Sequence, residues 1–255
     1  MLTIFKKYQG YLIAVASVSC AAGAALFHDG APWYSAAGFV LAVCLVALVI
    51  LNTKANLLHR QVLSILYHLC LPGDFVRIYE PLTQQKRVRK NALFTTLTYL
   101  SNGYAAMGNF VEALAVLDRV PEMKRNKEAP VLLAGNRCSC YLYLGQMEQA
   151  RLQLELLKKT MLSLKGKKLQ QYVEISELLR IRLELARGTV TQEDAEYLKH
   201  KLRRQNSPYH SAELNYLLGL AYQQLWQDHL AKDSWQNAIT PEGKLWFQEQ
   251  AKACL

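Results

Sequence analysis

Residues 99–114 read Tyr99-Leu100-Ser101-Asn102-Gly103-Tyr104-Ala105-Ala106-Met107-Gly108-Asn109-Phe110-Val111-Glu112-Ala113-Leu114, and their reading decides the fold. Apolar residues three and four apart run up to Gly108 and resume after it, the pattern of two amphipathic helices joined by a glycine turn. The arrangement returns along the chain. Cys138, Tyr141, Gly145, Ala150 and Leu154 stand at the relative positions of Ser101, Tyr104, Gly108, Ala113 and Leu117. Leu218, Gly219, Tyr222, Ala231, Trp235 and Ala238 repeat it near the C-terminus, with Trp226 where the turn glycine would be. Gly73, Gly108, Gly145 and Gly188 each separate two amphipathic stretches at intervals of 35, 37 and 43 residues. Near-periodicity of this length marks a solenoid, and beyond Lys54 no apolar alternation is long enough for a strand.

The spacing resembles that of the tetratricopeptide (TPR) repeat family, in which a first helix carries a Leu, a small residue and a Tyr, a Gly turns the chain, and a second helix carries Ala, a bulky residue and Ala. The resemblance covers roughly residues 57–255. It implies packing roles for Ser101, Tyr104, Gly108 and Ala113, for Tyr141, Gly145 and Ala150, and for Gly219, Tyr222, Ala231, Trp235 and Ala238. Small residues let paired helices approach, and the large ones fill the space between repeats. Gly73, Phe75 and Leu82 suggest an earlier degenerate repeat whose first helix covers about residues 55–69. Gly188 marks another, in which Ala195 arrives two residues late. Pro241 ends the last pair, and residues 242–254 read as a polar capping helix.

The N-terminal portion belongs to a different solvent. Residues 1–53 hold only Lys6, Lys7 and Asp29 as formal charges. Two apolar runs, at about 11–27 and 33–52, are each long enough to cross a hydrocarbon core with modest help from their flanks. His28-Asp29-Gly30-Ala31-Pro32 between them is a turn composition. The fold class expected is therefore all-α: a transmembrane helical hairpin over 1–53, then a TPR-like α-solenoid over 54–255. Lys6 and Lys7 precede the first run, Lys54 and Arg60 follow the second, and the loop carries no basic residue. Basic flanks mark the cytoplasmic side, so a multi-pass protein of the cell membrane is expected, with its N-terminus and repeat domain in the cytoplasm. A basic start, an apolar core and the small residues Ala21, Ala22 and Ala24 also suit a signal peptide. Cleavage there would leave the second run and its basic flank, with the domain on the same side.

The net charge of +10 would make nucleic acid the first partner to weigh in a soluble protein, but basic membrane flanks account for the excess more simply. Four basic clusters lie near repeat junctions: residues 86–90, 124–127, 165–168 and 199–204. The first, with Lys86, Arg87, Arg89 and Lys90, lies nearest the apolar runs and is the candidate for contact with anionic lipid. No recognition motif or aromatic platform accompanies the charge, so nucleic acid is not the expected partner. The six cysteines form no disulfide framework, since Cys138 and Cys140 point about 200° apart on a helix. The chain lacks a Cys-x-x-Cys pair, a nucleophile elbow and a phosphate loop, so neither catalysis nor a metal or cofactor is expected.

TPR proteins bind partner peptides or domains on the concave face of their first helices. The resemblance implies that Thr95, Thr98, Asn102, Ser139, Tyr143, Arg182, Tyr216 and Gln223 would line that groove here, beside Ala106, Gly135 and Gln224. Asn102 stands where a chaperone-tail clamp of the family has an Asn, but Thr98 and Ser139 replace the accompanying Lys and Asn. The function expected is that of a membrane-anchored scaffold or adaptor for a cytoplasmic protein or peptide. The alternative is a membrane-bound regulator that contacts nucleic acid or an associated enzyme through the basic clusters.

Overall fold

A computed structural model of the chain describes residues 14–255 apart from 16, 26–27, 29–31, 85–88 and 240–241. The described residues form helices and no strand. They divide into two compact units, Met1–Leu63 and Ser64–Leu255.

In the first unit the described residues between 14 and 25 are helical (α1), and α2 runs over Trp33–Tyr67. From Ala37 to Tyr67, α2 has 31 residues, with a most apolar stretch of mean hydropathy 2.2. At 1.5 Å per residue that is roughly 45 Å, more than a hydrocarbon core needs. Within that most apolar stretch no side chain is buried, and Leu41 is 62 % and Val49 64 % exposed. Among the described residues one helix is thus long and apolar enough to cross a membrane. Most of the turn expected at 28–32 and part of the first apolar run lie outside the described residues, as do Lys86 and Arg87.

The second unit is a repeat-like series of helices. After the end of α2 come α3 (Pro72–Thr83), α4 (Lys90–Ala106), α5 (Phe110–Asp118), α6 (Glu128–Tyr143) and α7 (Met147–Met161). Then follow α8 (Gly166–Arg187), α9 (Gln192–Arg203), α10 (Pro208–Gln224), α11 (Asp228–Ile239) and α12 (Trp246–Cys254). α4, α6, α8 and α10, the first helices of successive pairs, also touch one another in sequence.

The turns repeat one local geometry. Gly108, Gly145, Gly188 and Trp226 each take a left-handed conformation, with φ of 83°, 71°, 75° and 60°. The next residue's N–H reaches back five positions: Asn109 to Tyr104, Gln146 to Tyr141, Thr189 to Glu184 and Gln227 to Tyr222, at 2.9–3.0 Å. Such bonds satisfy carbonyls that a helix end would otherwise leave orphaned, and glycine adopts this φ without steric cost. Trp226 therefore does occupy the turn position read from the sequence. Gly73 does not. It lies inside α3, and Cys70, at φ 55°, makes the first turn. Pro72 explains the shift, because its fixed φ starts α3 at its first position and pushes the turn upstream.

Downstream of each glycine or tryptophan turn an alanine is buried: Ala113 at 0 %, Ala150 at 1 %, Ala195 at 0 % and Ala231 at 1 %. Each donates its N–H to the carbonyl of the residue that starts its helix, Asn109, Gln146, Thr191 and Gln227. Ala195 thus reaches the common position although its loop is two residues longer. Thr191 uses the extra length to cap α9 with a reciprocal bond to Asp194. The remaining packing positions behave as their sizes require. Ser101 is buried, and a Cβ on Gly219 would lie 2.2 Å from the Trp235 indole. Tyr222 and Ala238 are buried, while Tyr104 donates its hydroxyl to Glu80 at 3.0 Å. Tyr141 is half-buried against the core that Val131, Cys138, Leu154, Leu157, Tyr172 and Leu179 build between α6, α7 and α8.

A helix, α12, does follow the last pair, with Glu249 and Lys252 exposed on its outer side. Leu245, Phe247, Gln248 and Ala251 are all buried. With this buried face α12 packs on α10 and α11, and it also touches α4.

Candidate partner-binding cavity

Where α4, α6, α8 and α10 face one another they enclose a cavity of about 380 Å³. The amide chain along its wall starts at α2: Asn102 Nδ2 donates to the Tyr67 hydroxyl at 3.2 Å, and Asn136 Nδ2 donates to Asn102 Oδ1 at 3.0 Å. Deeper in, Arg182 forms an ion pair with Glu213, both being nearly fully buried, and donates through Nη1 to Ser139 Oγ at 2.7 Å. Its guanidinium carbon sits 5.6 Å from the centre of the Tyr143 ring. The buried Arg182 Nε and Tyr143 hydroxyl have no hydrogen-bond partner among the described residues.

The charges lining this space balance. Arg182 faces Glu213 and Lys201 pairs with Glu174, so two cations meet two anions. His210 also lines it, stacked on Tyr67 with ring centroids 5.6 Å apart. Burial lowers its pKa, with Arg182 and Lys201 acting in the same direction and Glu213 against it. The imidazole is therefore neutral at pH 7. Burial also raises the Tyr143 hydroxyl above its ordinary value. It pushes the Cys138 and Cys140 thiols up to about 11 and about 12, so both stay protonated at neutral pH. What remains is a charge-balanced recess in which a hydrogen-bonding wall faces apolar side chains such as Leu132, Ile175 and Leu178.

Of the eight groove residues read from the sequence, Asn102, Ser139 and Arg182 are brought together here. Tyr143 and Tyr216 lie against α12 instead. Trp246 stands 4.8 Å from the Tyr143 ring and 5.8 Å from Tyr216, and Phe247 stands 6.0 Å and 6.4 Å from the same two. That part of the face is filled by the chain itself. Thr98 is buried and donates its hydroxyl to the Phe94 carbonyl at 2.8 Å, Thr95 lines a separate cleft, and Gln223 is exposed at the end of α10. Sequence reasoning missed Tyr67, Asn136, His210 and Glu213. Glu213, an acid flanked by Ala212 and Leu214 in an apolar helix, was the one signal available. Among the described residues no group of three or more His, Cys, Asp or Glu side chains could hold a metal ion.

Comparison with protein-family models, curated proteins and solved structures finds no match to this chain.

Proposed function

We propose that this protein is a membrane-anchored adaptor whose TPR-like helical repeats hold a segment of a cytoplasmic partner protein in the cavity between α4, α6, α8 and α10. The carrying observation is the charge-balanced recess walled by Asn102, Asn136, Ser139 and the Arg182–Glu213 pair. A charge-balanced lining that sets amide and hydroxyl groups beside Leu132, Ile175 and Leu178 suits a peptide, whose backbone amides and apolar side chains would meet partners of both kinds. A phosphate would need uncompensated cations, which Glu213 and Glu174 remove by pairing with Arg182 and Lys201. The volume falls within the range of ligand pockets, roughly 300–1,000 Å³. Gln171 and Gln205 add two amide side chains to the lining.

The anchor in this proposal is a two-span hairpin, with α2 as its second span and both ends cytoplasmic by the positions of Lys6, Lys7 and Lys54. The domain joined to it would keep its partner at the bilayer and raise its local concentration there.

The test is an affinity capture from membranes with nuclease present throughout, comparing the natural chain with Asn102→Ala/Asn136→Ala. Recovery of a stoichiometric protein by the natural chain and its loss from the double variant is the outcome expected. Nucleic acid as the sole nuclease-sensitive companion would reject the adaptor reading.

A further inference from the structure

Lys90 of the first basic cluster meets residues of the second and third, each about 40 residues further along the chain, in one cleft of about 1220 Å³. It is lined by Lys90, Lys124, Arg125, Lys127, Lys165 and Lys168, all exposed. The acids lining it are Glu122 and Glu128, of which Glu128 pairs with Lys168. The other five cations have no ion pair within 4.0 Å among the described residues. Six cations against two acids leave a surplus of four. The cleft is thus unlike the charge-balanced cavity between α4, α6, α8 and α10.

Helix physics sharpens the point. The clusters sit where α4, α6 and α8 begin, and the residues capping those helices are Arg89, Lys127 and Lys165, none making a side-chain cap bond. A helix N-terminus is the positive end of the backbone dipole, and cations there are disfavoured. Acidic or hydroxyl caps are the stabilising choice, as Thr191 is on α9. The cluster at 199–204 makes the contrast. It lies at the C-terminal end of α9, where the dipole favours cations, and Lys199 and Lys201 pair with Glu196 and Glu174. Folding accounts for that cluster and not for the other three.

We infer that the cleft bounded by Lys90, Lys124, Arg125, Lys127, Lys165 and Lys168 is a docking surface for the anionic headgroups of a lipid bilayer. An anion there would neutralise the surplus cations and sit at the positive ends of the helix dipoles. The bilayer is the occupant chosen because the same chain carries a helix able to cross one, which makes lipid phosphate the anion at highest effective concentration. Cations near an anionic surface add their attractions, so five or six together give a contact that salt reverses. The inference rests on the membrane-anchored reading and is independent of what fills the cavity.

The test uses the full chain in lipid nanodiscs of phosphatidylcholine alone or with three parts in ten phosphatidylglycerol, probed by amine acylation and peptide mass mapping. Labelling of Lys124, Lys127 and Lys165 is expected to fall about threefold in the anionic discs and to recover in 0.5 M NaCl. Lys124→Glu/Arg125→Glu/Lys127→Glu should restore Lys165 labelling to the neutral-disc level, and Lys199→Glu/Arg203→Glu/Arg204→Glu should leave the protection unchanged. Equal labelling in both discs, or protection abolished equally by the second triple variant, would overturn the inference while leaving the anchor standing. Failure of the chain to enter either disc would overturn both.

Discussion

The Lys244 N–H donates to the carbonyl oxygen of Cys70 at 2.9 Å, which joins the loop before α12 to the turn after α2. The first and last turns of the domain are thereby held against each other across more than 170 residues of sequence. Gly243 makes the approach possible, since a Cβ there would lie 2.5 Å from Cys70 Cβ and 3.1 Å from its carbonyl oxygen. Gly243→Ala is therefore expected to destabilise the domain by about 1–3 kcal/mol, the usual range for forcing an extra carbon into packed space. Thermal unfolding of the full chain in detergent measures it, and an unchanged midpoint would show that the contact does not hold the ends together.

Glu213→Ala should cost about 3–5 kcal/mol, because it leaves Arg182 charged, buried and without its ion-pair partner. Replacing both residues together, Arg182→Met with Glu213→Leu, is expected to cost less than the single change. A double-mutant cycle by denaturant unfolding distinguishes this from simple loss of packing, for which the costs would add.

Trp226 carries φ 60° and is 90 % exposed, so its side chain loses little contact on removal while its backbone pays for a left-handed conformation. Trp226→Gly should raise stability by about 1 kcal/mol, seen as a higher unfolding midpoint. A lower midpoint would mean that the indole makes a stabilising contact in the folded chain.

His210 provides the pH dependence. Its folded pKa lies below the ordinary value of 6.5, so as pH falls through 6.5 the unfolded chain takes up a proton that the folded chain refuses. The unfolded state then binds more protons, and stability drops on acidification until the folded imidazole also titrates. The groups around it are Tyr67, Tyr209, Glu213, Arg182 and Lys201. His210→Gln should flatten the stability profile between pH 7 and the lower folded pKa. An unaltered slope would place the pH sensitivity elsewhere.

Much of the local architecture was legible in the chain because it depends on neighbours. Helical periodicity, the glycine turns and the alanine after each turn act over fewer than ten residues, and even Trp226 could be placed at its turn by spacing alone. Cys70 could not. Its left-handed φ follows from Pro72 starting α3 and from Gly243 packing on it, and the second of these is a contact from the far end of the domain.

The same division holds for the candidate sites. The all-helical class, the apolar stretch of α2 and the existence of four basic clusters are written in composition and period, which need no partner to be read. Only the tertiary structure decided that Asn102, Ser139 and Arg182 share a cavity while Tyr143 and Tyr216 are covered by Trp246 and Phe247. Only it brought Lys90, Lys124 and Lys165 to one cleft and left the cluster at 199–204 apart. The physical reason is that a period specifies which side of its own helix a residue faces. What faces it in turn depends on how successive pairs stack, on packing between side chains that lie tens of residues apart.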